Sequence, residues 1–193
     1  MGIIDRKKLI HEAAAKSFSL YGYKATTMEQ VAKLANVGKG TIYTFYKTKE
    51  ELFEEIIKTL IIDIKLAVEQ VLDESATFHE NVNRALYTVH EFRESHQLTI
   101  KLIQEERDMG TQTVVEAMQQ VEQAIVQYMM GIIQKAIETG EIKPCDPEIT
   151  AFVMLKMYFS LIIDWQRNHP PLGKEEISKL FELYLLKGLS QND

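Results

Sequence analysis

The chain contains a single cysteine, Cys145, so no disulfide can close within it, and a zinc site built on thiolates has no set of ligands to draw on. Proline is scarce too, with four residues, and the nine glycines fall mostly between periodic apolar segments. That shortage of breakers leaves little room for strands, and helices are expected from end to end. No uncharged run of about 18 residues occurs, and Asp5, Arg6, Lys7 and Lys8 place charges where an apolar leader would lie. A soluble, cytoplasmic protein without a membrane span is therefore expected. Catalytic signatures are missing as well: Gly38-Lys39-Gly40 lacks the upstream glycine and following hydroxyl of a phosphate-binding loop, and neither G-x-S-x-G nor H-E-x-x-H occurs. His90 and His96 fall on different faces of one helix, and the neighbours Glu105 and Glu106 cannot share one. No enzyme, cofactor or metal site is expected.

Charge is plentiful but uneven. Residues 1–49 hold nine basic against three acidic residues, a net of +6, while the remainder carries 13 against 25, which gives the whole chain its −6. An acidic body with a basic head suggests that the head alone meets a polyanion.

The periodicity predicts an all-α protein of about nine helices. Leu9, Ile10, Ala13, Ala14, Phe18 and Tyr21 recur at helical steps, with Gly22 as the stop of a first helix. Thr27 to Gln30, Thr48 to Glu51 and Thr77 to Glu80 have the form of capping boxes, and Asp146-Pro147 reads as a helix start. After Thr48, apolar residues run without a breaker from Leu52 to Val71, which predicts a helix over 49–73, roughly 36 Å long. A short apolar segment is expected around Leu98 to Ile103, followed by a long helix ending near Thr139-Gly140. From Ile149 to Trp165, and again from Lys174 to Gly188, apolar residues go nearly all round the helix. Such helices need cover on two sides, which a second copy of the chain can supply. Phe152, Leu155, Phe159, Ile162, Ile177, Phe181 and Tyr184 are the expected dimer interface.

Between these signals lies the stretch VAKLANVGKGTIYTFYKTKEEL, Val31 to Leu52. Two short helices crossing at a tight turn need a small residue at the crossing, a residue tolerant of positive φ at the turn, and apolar anchors inside. Ala32, Asn36 and the set Val31, Ala35, Val37 and Ile42 meet those needs. This predicts a helix-turn-helix with Met28 to Leu34 as the supporting helix and Lys39 to Tyr46 as the recognition helix. With Ile42 inward, Lys39, Gly40, Thr41, Tyr43 and Thr44 fall on or near the outer side, and nothing acidic stands there. Lysine reaches guanine O6 or N7, threonine methyls pack on thymine methyls, and glycine permits close approach. Thr27, Tyr43, Tyr46, Lys47 and Lys49 form a ring of phosphate donors around them. Phe45 is read as core.

The segment from about Ile10 to Phe53, with T-T-x-x-x-V-A at Thr26 to Ala32, V-G-K-G-T-I-Y at Val37 to Tyr43 and F-Y-K-T-K-E-E-L at Phe45 to Leu52, resembles the N-terminal domain of the TetR family of transcriptional regulators. The resemblance covers about a quarter of the chain. It implies a three-helix DNA-binding head over 1–48, joined through the long helix 49–73 to a helical effector-binding and dimerisation domain over 49–193. Position by position it implies base-edge contacts by Lys39, Gly40, Thr41 and Thr44, and phosphate contacts by Thr27, Tyr43, Tyr46 and Lys49. Where the family has Tyr-Phe or His-Phe, this chain has Phe45-Tyr46, which leaves open the ring that faces DNA; Gly38 stands where a capping serine is common.

The expected function is a ligand-responsive regulator, a repressor by resemblance, binding a near-palindromic double-stranded operator as a homodimer. Release by a small lipophilic effector is suggested by aromatic and methionine residues in the later helices, with Tyr87, Phe92, Met118, Tyr128, Met129, Met157 and Trp165 as candidate pocket walls. His90, Arg93, His96, Glu105, Glu106 and Arg107 are polar candidates for the same wall or for a solvated face. A helical adaptor without specific DNA binding, and a DNA-binding dimer without an effector, stay open as alternatives.

Overall fold

The structure, a computed structural model, describes residues 5–95 and 97–190, and the side chains of all of these except residues 93–95. Among the described residues there is no strand, only an isolated antiparallel bridge between Ile142 and Ser190. The helices are α1 (Arg6–Ala25), α2 (Met28–Leu34), α3 (Lys39–Phe45), α4 (Lys49–Glu69), α5 (Phe78–Ser95), α6 (Gln97–Met109), α7 (Gln112–Glu138), α8 (Pro147–Phe159) and α9 (Lys174–Phe181). A π-helical turn (Ser160–Asp164) and a 3-10 turn (Trp165–Arg167) prolong α8, and a π-helical turn (Glu182–Leu186) and a last helical turn (Lys187–Leu189) prolong α9.

Three start signals work as the sequence suggests, and a fourth does so in part. Thr27 and Gln30 exchange both bonds of a capping box, as do Thr77 and Glu80, and the Asp146 carboxylate accepts from the amides of Glu148 and Ile149. At Thr48 the hydroxyl accepts from Glu51 N as expected, while the Glu51 carboxylate turns to the amide of Lys47.

Three elements differ from expectation. Gly22 interrupts α1 as expected, with φ 81° and ψ 173°, but one further helical turn follows and runs to Ala25. Helix α4 ends at Glu69, four residues short of 73, giving about 31 Å at 1.5 Å per residue. Beyond it the chain turns into a loop fastened by the Asn81 side chain to Asp73 and by an Arg84–Asp73 ion pair at 3.1 Å. The apolar segment at Leu98 to Ile103 is part of a complete helix, α6.

By their contacts the residues group into two compact units. The first comprises residues 1–63 with 93–121. It holds an aromatic cluster in which Phe18 meets Phe53 edge-on at 5.1 Å and Tyr23 lies 4.6 Å from Phe53, and Ile10, Val31, Ile42, Leu52, Ile57 and Leu102 are buried in the same unit. Burial of side chains of this size contributes roughly 1.5–3 kcal/mol each. The second comprises residues 64–92 with 122–193, packed around Phe78, Ile133, Met154, Tyr158, Ile162, Ile177 and Phe181.

Candidate nucleic-acid interface

The turn between α2 and α3 is closed by backbone bonds alone. Asn36 N donates to Lys33 O at 3.2 Å and Val37 N to Ala32 O at 3.0 Å, with Asn36 at φ 52°, the paired bonds and left-handed residue of a Schellman motif. Val31, Ala32, Ala35 and Ile42 are buried beneath it, as the spacing predicts. This fixes α3 with Lys39, Gly40, Tyr43 and Thr44 exposed and Thr41 half-exposed. A Cβ at Gly40 would lie in open space beyond its own helix, so packing does not demand glycine there.

The hydroxyl of Thr44 donates to Thr41 O at 2.7 Å, which leaves its methyl and its lone pairs facing outward. Lys39 lies 3.8 Å from Glu29 with both side chains mostly exposed, a pairing of little worth in water that leaves the ammonium available to another partner. Lys47 donates to Tyr43 O at 3.3 Å at the end of α3 and stays exposed. Thr27 is exposed, and because its oxygen accepts from Gln30 N its hydroxyl proton is free to donate outward.

Two expected phosphate donors lie elsewhere. Tyr46 is 1% exposed and its phenol donates to Glu55 at 2.9 Å, so it is a core residue, whereas Phe45, expected inside, is 38% exposed. The exchange follows from α3 ending at Phe45: the extended backbone of Tyr46 swings that ring back onto α4. Lys49 is turned inward. Its ammonium donates to Tyr23 O at 3.0 Å and Thr26 O at 3.1 Å and lies 4.1 Å from the Tyr23 ring centre, so it fastens the end of α1. Of the ring of donors, Thr27, Tyr43 and Lys47 are left on the surface.

The same end of α1 carries a residue whose role the sequence did not reveal. Glu105, expected at a pocket wall or on a solvated face, is 5% exposed and accepts from Tyr23 N at 2.6 Å and Lys24 N at 2.9 Å. Tyr23 in turn donates its phenol to Glu50 at 2.6 Å. Burial first, and then that bond, raise the Tyr23 phenol to about 12; burial and the bond to Glu55 likewise raise Tyr46. Glu50 is held below the usual carboxylate range, chiefly by the Tyr23 hydrogen bond.

In the second unit the expected dimer residues separate into two groups. Phe152 and Tyr184 are exposed, the latter by 71%, alongside Ile149, Val153 and Leu183, an apolar surface that water does not favour. Leu155, Ile162, Ile177 and Phe181 are instead buried within the protomer, and Phe159 is partly buried against its core. The pocket candidates also disperse. Met129 and Met157 pack on the core of the second unit, Trp165 stands on the surface stacked on His169 at 3.8 Å, and Met118 is buried in the first unit. Tyr87, Phe92 and Tyr128 are half-buried, with Lys174 and Lys65 over the Tyr87 and Tyr128 rings at 5.1 and 5.9 Å. His90 is buried; the Arg93 side chain and His96 lie outside the described residues.

Comparison with known proteins decides the family. The profile for bacterial regulatory proteins of the tetR family matches residues 10–56, and that for a tetracyclin repressor-like C-terminal domain matches residues 75–189. The chain belongs to the TetR family. Its members are DNA-binding regulators rather than enzymes, and they bind DNA as dimers and bind small-molecule effectors. The HTH-type transcriptional regulator YhgD of Bacillus subtilis (strain 168) is 59% identical over 189 residues, covering 98% of this chain and 99% of that protein. Among solved structures of the same fold, Salmonella enterica GusR superposes with TM-score 0.78 at 19% identity, over 98% of this chain and 97% of that one. A SmeT–triclosan complex gives 0.76 at 16%, over 97% and 92%, and the fatty acid degradation regulator FadR from Bacillus halodurans 0.75 at 14%, over 95% and 96%. This TetR-family regulator thus carries its helix-turn-helix where the motif was read, with two of its expected DNA contacts turned inward.

Proposed function

We propose that this protein is a repressor that binds a near-palindromic operator as a homodimer and is released by a small lipophilic effector. The observation that carries the DNA-reading part is the outer face of α3: Lys39, Gly40, Tyr43 and Thr44 are exposed, no acidic residue stands on that helix, and Gly40 meets no internal packing need. Lys39, Gly40, Thr41 and Thr44 would meet base edges, and Thr27, Tyr43 and Lys47 phosphates. The exposed apolar surface of Ile149, Phe152, Val153, Leu183 and Tyr184 supports a two-fold dimer, whose heads would enter successive major grooves about 34–36 Å apart.

The lipophilic effector is supported by the half-buried Tyr87, Phe92, Tyr128, Met129 and Met157 in the second unit, and by two proteins of like fold, one solved with triclosan and one named for fatty acid degradation. An effector releases DNA only by preferring one head spacing over another. Among the described residues no helix is long and apolar enough to cross a membrane, which is in keeping with action in the cytoplasm. The test is recovery of genomic fragments by the purified protein, with native mass spectrometry on the same preparation. A shared near-palindrome, and an apolar small molecule whose addition abolishes its recovery, are expected. Sequence-independent recovery would overturn the operator reading, and recovery indifferent to every bound or added apolar molecule would overturn the effector reading.

A further inference from the structure

The kink in α1 creates a chemical need. Gly22, at φ 81° and ψ 173°, breaks the hydrogen-bond ladder, and the turn that follows begins with amides that have no carbonyl one turn behind them. In most helices a side chain next to the first turn would satisfy them. Here the carboxylate comes from α6, 82 residues away: one Glu105 oxygen takes Tyr23 N at 2.6 Å and the other takes Lys24 N at 2.9 Å. Gly22 also makes room for it, since a Cβ at that position would collide with Glu105 Oε2, and its positive φ would strain any other residue.

Three carbonyls of the same segment are fastened as well. Lys49 donates to Tyr23 O and Thr26 O, and the Thr26 hydroxyl donates to Gly22 O at 2.8 Å while lying 3.1 Å from Ser17 Oγ. Residues 22–26 are thus clamped between a carboxylate of α6 and an ammonium of α4. The next residue, Thr27, caps α2 and opens the helix-turn-helix.

We propose that Glu105 is a positioning residue for DNA recognition: by capping the amides of Tyr23 and Lys24 it fixes the point and direction from which α2 and α3 depart, and operator affinity depends on that carboxylate. This rests on the DNA-binding reading above. Two buried hydrogen bonds to the Glu105 side chain are at stake, enough to change operator affinity about tenfold or more when both are lost. A cleft of about 190 Å³ opens beside the carboxylate, with Lys24 and Lys101 among its walls. Removing the side chain therefore leaves two unpaired amides that a small carboxylate can reach from solvent.

The experiment compares wild type, Glu105→Ala and Glu105→Gln as full-length protein. It measures operator affinity and amide hydrogen exchange at Tyr23 and Lys24, each with sodium formate and with sodium chloride at equal ionic strength. For Glu105→Ala the expected result is an operator Kd raised about tenfold or more with the helical circular dichroism retained, fast exchange at both amides, and recovery of both in formate but not in chloride. Glu105→Gln, which keeps a single oxygen acceptor and the side-chain volume, should fall between wild type and Ala; it carries the comparison if Glu105→Ala does not fold. Unchanged affinity with exposed amides would overturn the positioning role, and lost affinity that formate leaves untouched would assign the effect to packing. If the wild type binds no specific DNA, the reading that fails is DNA recognition. The exchange data then decide the cap by themselves, since protected amides in Glu105→Ala would overturn it.

Discussion

Tyr23 and Tyr46 each give a phenolic proton to a glutamate of α4, and both phenols are raised by burial and by those bonds. A folded value above the unfolded 10 means that the neutral phenol is favoured in the fold, so this stabilisation is complete below about pH 10 and is lost as pH rises toward about 12 for Tyr23. The Tyr23→Phe, Tyr46→Phe protein should be less stable than wild type at neutral pH by about 0.5–1.5 kcal/mol per bond, and the two stability curves should converge as pH climbs through that window. Parallel curves in denaturant titrations would show that the phenols contribute nothing. Gly40→Ala is expected to move two quantities in opposite directions: stability up by as much as about 0.5–1 kcal/mol, because glycine is a poor helix former and the site is open, and operator affinity down because the methyl intrudes on the base edges. A stability gain with unchanged affinity would place the DNA farther from Gly40. Lys49→Ala should behave differently from Lys47→Ala. The first lowers the melting temperature by freeing the Tyr23 and Thr26 carbonyls; the second leaves it alone and weakens DNA binding.

At the scale of the helix, legibility followed the range of the interaction. The caps at Thr27, Thr77 and Asp146 and the Asn36 turn involve residues two to five apart, so the sequence displayed them directly. Glu105 meets Tyr23 across 82 residues and Lys49 meets it across 26, and no local pattern announces either. The order of Phe45 and Tyr46 was hidden for a similar reason, because what turns Tyr46 inward is the end of α3 together with Glu55 nine residues on. The end of α4 at Glu69 does not show in the sequence, because the apolar spacing runs on to Val71 while the loop at Asp73, fastened by Asn81 and Arg84, takes the chain away. In the last helix the buried residues are Ile177, Phe181 and Leu186, four and then five apart, and the step of five coincides with the π-helical turn. That irregular step, read as simple all-round apolarity, merged core and surface. The two groups should now separate by experiment. Tyr184→Glu with Phe152→Glu should yield a folded monomer by sedimentation, since both side chains are exposed in the protomer. Phe181→Ala should cost about 3–5 kcal/mol of stability. A dimer that survives both exposed substitutions would move the interface off this surface.

For the whole molecule, the basic head and acidic body imply docking through the head, and the orientation of Lys49 changes the electrostatics expected of it. Counting three lysines per head gives about six counterion-releasing contacts per dimer and a log-log salt slope near −5. With Lys49 committed to backbone carbonyls, Lys39 and Lys47 leave about four contacts and a slope of about −3.6. The central proposal is that the outer face of α3 reads DNA sequence. The measurement that tests it most directly is equilibrium binding of wild type and the Lys39→Ala, Thr44→Ala protein to the recovered operator and to a scrambled duplex of equal length, at one fixed salt concentration. The account predicts that wild type prefers the operator by about a thousandfold or more, and that the variant loses most of this preference while keeping its weak affinity for the scrambled duplex. Equal preference in both proteins would contradict it.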